Sequence, residues 1–179
     1  MSRFDECLKF VLGVEGGLSN DKADHGGLTN YGVTQATYDN YRSRVRHLPQ
    51  ASVAGITLDE AADIYRQNYW KPIRGDNLPA PLDLCIFDAA VNSGVRQAVL
   101  FLQRGLGVDD DGLIGSDTLG AVTMDNQNGL TPRVVRDVLA QREFFYRKIV
   151  SNDPTQAKFL GGWLNRIKAV RAACEETLK

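Results

Sequence analysis

Near the start of the chain, Glu15, Asp24 and Thr29 combine residue types and spacing that suit acid–base work on a glycosidic bond. A helix turns through about 100° per residue, which sets Glu15 on the same face as Phe4, Leu8 and Val11, close to Leu12. A carboxyl group on the apolar stripe is poorly solvated, and the C-terminal end of a helix carries the negative pole of its dipole. Both effects disfavour the anion, which is what a general acid working near neutral pH needs. A helix-end glutamate bonded to an arginine or to turn amides would show the same periodicity, so both readings stand at this point. Asp24 and Thr29 lie in the run GGLSNDKADHGGLTNYG, residues 16–32, whose paired glycines at 16–17 and 26–27 let the backbone turn tightly and approach a ligand. One protonated carboxyl group and one ionised one across a cleft can protonate a leaving oxygen and assist water or an oxocarbenium-like transition state. A threonine hydroxyl can hold that water. Ordinary turn chemistry also accounts for Asp24 and His25.

Several helices must position these groups. Ser2 with Asp5 resembles a capping box that opens a helix ending at Gly16-Gly17, and the loop after it can hold short strands around Leu18 and Tyr31. Thr34 caps a helix to about Arg44, and Thr57 with Glu60 opens another in which Leu58, Ala62, Tyr65 and Tyr69 form a stripe. Residues 81–94, PLDLCIFDAAVNSG, are apolar nearly all round and end on glycine, which predicts the central buried helix, with Asp88 satisfying a buried donor. A short helix over 97–104 and a turn-rich stretch over 107–118 follow. Thr131-Pro132 reads as N-cap and first helical residue of a long helix to about Val150. Asp153-Pro154 repeats the device before a closing helix with Trp163, Ile167, Val170 and Cys174 on one face. The fold class is mainly α, in a single domain.

Composition narrows the function. Hydrophobic residues at 43% and charged residues at 24% exclude a disordered or fibrous chain. The net charge of −1, from 21 basic and 22 acidic residues, leaves no global cationic field for nucleic acid. By segment the balance is uneven: 9 basic and 9 acidic residues over 1–75, 2 and 8 over 76–130, and 10 and 5 over 131–179. Solvated helix faces account for this, as does a basic face turned toward an anionic polymer. Cys7, Cys85 and Cys174 have no paired spacing, and His25 and His47 stand apart from them, so no metal or other cofactor is expected. The run GVDDDG fails as an EF-hand loop because Gly107 and Thr118 stand where acids are needed. No stretch reaches the ~20 apolar residues of a membrane span, and acids interrupt the N-terminal segment where a signal peptide needs an apolar run.

The run VEGGLSNDKADHGGLTNYGVT, residues 14–34, closely resembles the signature of the glycoside hydrolase 108 family, phage-type N-acetylmuramidases. Further similar motifs are Tyr69-Trp70-Lys71-Pro72, residues 87–94, Leu102-Gln103 with Gly105, Asp111-Gly112 with Ile114-Gly115 and Thr118, and Lys158-Phe159-Leu160 with residues 162–166. The resemblance implies a lysozyme-like helical fold and cleavage of the β-1,4 bond between N-acetylmuramic acid and N-acetylglucosamine in bacterial peptidoglycan. Glu15 matches the family's catalytic glutamate. Its spacing to Asp24 and Thr29 is similar to the Glu, Asp and Thr triad of other phage lysozymes. Leu18 and His25 depart from the pattern, standing where Tyr and Pro are frequent.

On this reading residues 1–95 form a catalytic region and 96–179 a helical region resembling a peptidoglycan-binding segment, packed in the same globular unit. Tyr31 and Trp70 offer stacking faces for sugar rings, and Asn92 can bond an acetamido group or cap its helix. Tyr69 falls on an apolar stripe and is assigned to the core. The expected protein is a monomeric endolysin or prophage lysozyme, made in the host cytoplasm without a signal peptide and reaching the wall after holin-type release. Two other functions keep the scaffold: a lytic transglycosylase using Glu15 alone, and a non-catalytic wall-binding or secretion-assisting protein. A cysteine amidase at Cys85 is disfavoured by its apolar helix.

Overall fold

A computed structural model describes residues 2–15 and 29–178, without the side chains of Val14 and Glu15. The chain forms two compact units, Met1–Asn68 and Tyr69–Lys179.

In the first unit, α1 (Arg3–Glu15) begins as its sequence dictates: the Ser2 hydroxyl accepts from the Asp5 amide at 3.2 Å, and the Ser2 amide donates to Asp5 at 2.8 Å. Phe4, Cys7, Leu8 and Val11 recur at helical spacing and are buried. A two-stranded antiparallel hairpin follows, with β1 (Thr29–Asn30) against β2 (Val33–Thr34), Thr29 opposite Thr34 and Asn30 opposite Val33. Its turn residues Tyr31 and Gly32 both have positive φ, 50° and 71°, as a tight two-residue hairpin requires. Thr34 caps α2 (Gln35–Asn40), which widens into a π-helical turn over Tyr41–Val45. The Thr57–Glu60 capping box opens α3 (Leu58–Tyr65). Two tyrosine bridges tie α2 and the turn after it to α3. Tyr38 donates to Glu60 and Tyr41 to Asp63, with Arg42 and Arg46 paired to the same two acids.

In the second unit, α4 (Leu82–Ser93) is the buried centre, with every residue from Leu82 to Ala90 buried. It packs on α5 (Val95–Leu106), α7 (Thr131–Asn152) and α8 (Ala157–Thr177). α6 (Ser116–Gln127) falls partly in the stretch read as turns and partly where no element was expected. The reason is physical: only Thr118 and Val122 of this helix are buried, so it carries no apolar stripe to read. The start of α7 also differs from expectation by one residue. Leu130 holds the cap position and Thr131 is already helical, its hydroxyl donating to Asn126 at 2.9 Å.

Charge lies at the heart of this unit. Asp88 and Arg142 are both 0% exposed and Arg166 is 9% exposed. One Asp88 oxygen accepts from Arg142 Nη1 at 2.8 Å, and the other accepts from Arg166 Nε at 2.9 Å. Burial works against the charged form of Arg142, but Asp88 and then Tyr146 outweigh it and hold its pKa above the ordinary arginine value. Asp88 is thus the shared anion of two guanidinium groups from α7 and α8. Replacing it removes the counter-charge of both. Asp88→Asn should lower stability by about 3–5 kcal/mol in urea unfolding; a loss within error would show that the arginines find other partners.

Candidate functional site

Glu15 is the last residue of α1, four residues beyond the fully buried Val11, and no basic residue sits in the final turn of that helix. Its side chain lies outside the described residues, as do Asp24 and the sequence departures Leu18 and His25. Thr29 is half-buried in β1, and Tyr31 is half-buried at the hairpin turn. A left-handed backbone at a bulky residue costs about 1–3 kcal/mol and persists only where its surroundings enforce it. Here the hairpin does so, together with Tyr65, whose hydroxyl donates to the Tyr31 carbonyl at 3.0 Å. Asn30 adds a bond from its amide to the Ala54 carbonyl at 3.2 Å. The structure therefore brings Thr29 and Tyr31 onto one braced hairpin.

Trp70 does not offer the expected stacking face. Its side chain is 0% exposed, its indole N–H donates to Asp76 at 2.9 Å, and its ring meets Phe87 edge-on at 5.4 Å. Gly75 lies against the ring so closely that a Cβ there would collide with it. An aromatic enclosed on this scale packs the core and has no face for a ligand. Tyr69, assigned to the core, is instead half-buried.

Asn92 is half-buried near the end of α4, and it does not cap the helix through its side-chain oxygen. That oxygen accepts from the Tyr146 hydroxyl at 2.5 Å. Since the tyrosine proton goes to Asn92, Ser93 is the donor in the 2.8 Å contact between its hydroxyl and Tyr146. Arg142 also faces the same hydroxyl at 3.4 Å. Asn92 is therefore fixed from behind through Tyr146 and Arg142 to Asp88. Tyr146 was invisible in the sequence as a site residue because it reads as one more core position on α7. Its only sequence signal is its place one turn after Arg142.

The remaining candidates are structural. Cys85 is buried beside Cys174, and a bond to that thiol together with burial pushes its own thiol well above the usual range, which makes it inert as a nucleophile. In the GVDDDG run, Asp111 and the Gly112 amide are both bonded to the buried Gln103 at 2.7 and 2.8 Å. No group of three His, Cys, Asp or Glu suited to a metal occurs among the described residues. Among these residues, no helix is long and apolar enough to cross a membrane.

The family described as glycosyl hydrolase 108 matches residues 8–94, and one described as a predicted peptidoglycan domain matches residues 97–168. No curated protein matches the chain. Among solved structures, SagA of Brucella abortus is similar, with 34% identity and a TM-score of 0.79 over 97% of this chain and 94% of that one. With its mainly helical, lysozyme-like fold and these two matches, the protein is a peptidoglycan hydrolase. The chain belongs to the glycosyl hydrolase 108 family.

The enclosure of Trp70 separates a core role from a binding role. Trp70→Phe should lower unfolding stability by about 1–3 kcal/mol through lost volume and a lost hydrogen bond, with KM on peptidoglycan unchanged. A raised KM at unchanged stability would restore Trp70 as a contact.

Proposed function

We propose that the protein is an N-acetylmuramidase, hydrolysing the β-1,4 bond between N-acetylmuramic acid and N-acetylglucosamine, with Glu15 as general acid. The observation that carries this reading is the position of Glu15 as the final residue of α1, within the glycosyl hydrolase match and directly ahead of the glycine-rich segment. Helix ends of this polarity disfavour a carboxylate, and α1 supplies no last-turn cation to offset the effect. In the reaction Glu15 gives its proton to the bridging oxygen as the bond to the muramic acid C1 breaks. Water then adds its oxygen to C1, and its proton passes to a carboxylate. Asp24 takes the side of the water or the oxocarbenium ion, and the Thr29 hydroxyl helps to hold the water.

Tyr31 and Asn92 are the substrate contacts in this scheme, with the Asn92 amide aimed at an acetamido carbonyl. The division of labour follows the two family matches: residues 1–95 for chemistry, and residues 96–179 for holding the wall.

Glu15→Gln should keep the circular dichroism spectrum and abolish clearance of a peptidoglycan suspension. Clearance by the folded variant would end the general-acid assignment. Mass spectrometry of the digest should show reducing-end muramic acid carrying an added water, and 1,6-anhydro products would mark a transglycosylase instead. Asp24→Asn should lower turnover by about 10²-fold or more with little change in unfolding midpoint; full turnover in this variant would reduce Asp24 to a turn residue.

A further inference from the structure

With Trp70 enclosed, Tyr31 is left as the expected aromatic contact in the first unit, and a ring system beside Asn92 supplies an aromatic face in the second. Tyr146 stacks on Trp163 with centroids 5.0 Å apart and planes 25° from parallel, and Trp163 in turn lies 5.9 Å from Phe159. Exposure rises along the row: Tyr146 is 2% exposed, Trp163 is half-buried, and Phe159 is 46% exposed. The first ring belongs to the core and the last two open to solvent. The hydroxyl of the same Tyr146 holds the Asn92 oxygen, which leaves the Asn92 amide nitrogen with no partner among the described residues. One buried tyrosine therefore sets both a planar apolar face and a pair of amide hydrogens.

Those two features match the two faces of an N-acetylated sugar. The C–H face of a pyranose packs on an indole, and the acetamido carbonyl accepts from an amide. We propose that Trp163, Phe159 and Asn92 form one subsite for an N-acetylhexosamine unit of the glycan, with Tyr146 as its positioning residue. The proposal rests on the peptidoglycan hydrolase reading and adds a binding face on α8 to it. Lys158, 4.9 Å from the Phe159 ring centroid, puts a cation at the rim. It can face the carboxylate of an attached lactyl group or peptide.

The chain has only two tryptophans, and Trp70 is enclosed away from any ligand, so a change in emission on binding that Trp163→Phe abolishes reports on Trp163. The test uses Glu15→Gln protein, which prevents turnover, titrated with the β-1,4 tetramer of N-acetylglucosamine. A saturable change in tryptophan emission is expected. By calorimetry, Trp163→Ala and Asn92→Ala should each weaken binding about ten-fold. Trp163→Phe, which keeps a ring on Tyr146, should stay within about three-fold of the parent and guards against misfolding of the alanine variant. The de-N-acetylated tetramer should bind the parent more weakly and be insensitive to Asn92→Ala. Emission unchanged at saturating tetramer, or alanine variants that bind like the parent, would overturn the subsite. The hydrolase reading fails separately, if protein with Glu15 intact releases no fragments from sacculi.

Discussion

The second unit is organised around a carboxylate that water cannot reach. Asp88 has an arginine on each oxygen, one from α7 and one from α8, and all three side chains are buried. An isolated buried charge is too costly to persist, so the three helices can pack only where the carboxylate meets both guanidinium groups. Apolar contacts between α4, α7 and α8 would tolerate some sliding; directional charge-assisted hydrogen bonds do not. Two cations on one anion also leave the interior with an excess of positive charge. The Arg142 Nη2 spends part of it on the hydroxyl of Tyr146. That step carries the electrostatics of the core out to Asn92 at the surface end of α4.

The same interaction accounts for part of the uneven charge along the chain. The acidic middle and the basic C-terminal third meet inside one unit, as Arg142 and Arg166 on Asp88 and as Arg133 on Asp125 at 2.8 Å. Arg147 pairs within its own helix to Glu143. The exposed pairs contribute little to stability because water and salt screen them. The buried set contributes specificity, fixing which faces of α7 and α8 turn inward. The basic third is therefore in part a packing device, and fewer of its charges remain to meet an anionic wall than the residue count suggests.

What could be read from sequence follows the same physics. α1, α3 and α4 were legible because capping residues and apolar positions agree on their limits: Ser2 with Asp5, Thr57 with Glu60, and the run from Leu82 ending at Gly94. α6 was not, since a helix that buries two residues has no periodic signature. Asp88 could be recognised as a buried partner because it interrupts an apolar helix. Its partners could not be named, since they lie 54 and 78 residues further along the chain and pairing at that range leaves no local trace. Trp70 failed as a site residue for a related reason: a tryptophan near Tyr and Pro looks the same whether it faces a sugar or a phenylalanine. Glu15 was singled out by motif and helix phase together and Thr29 by motif and spacing, while Tyr146 and Trp163 needed three-dimensional stacking to stand out.

The two candidate sugar contacts share one construction. Tyr31 is held through its carbonyl by the hydroxyl of buried Tyr65, and Asn92 through its side-chain oxygen by the hydroxyl of buried Tyr146. A tyrosine hydroxyl has one proton to give, so each bond occupies one acceptor from the protein side and leaves the rest of the held residue to point away. A rigid ring also carries that hydroxyl at a set distance from the core with little rotamer freedom to lose. Binding groups supported in this way lose little entropy when a ligand arrives, and their geometry is set before it does. In Asn92 the support reaches back to a buried ion pair, and in Tyr31 to a hairpin turn that accepts a strained φ. Two unrelated local folds thus arrive at one construction, each anchored to the core by one tyrosine.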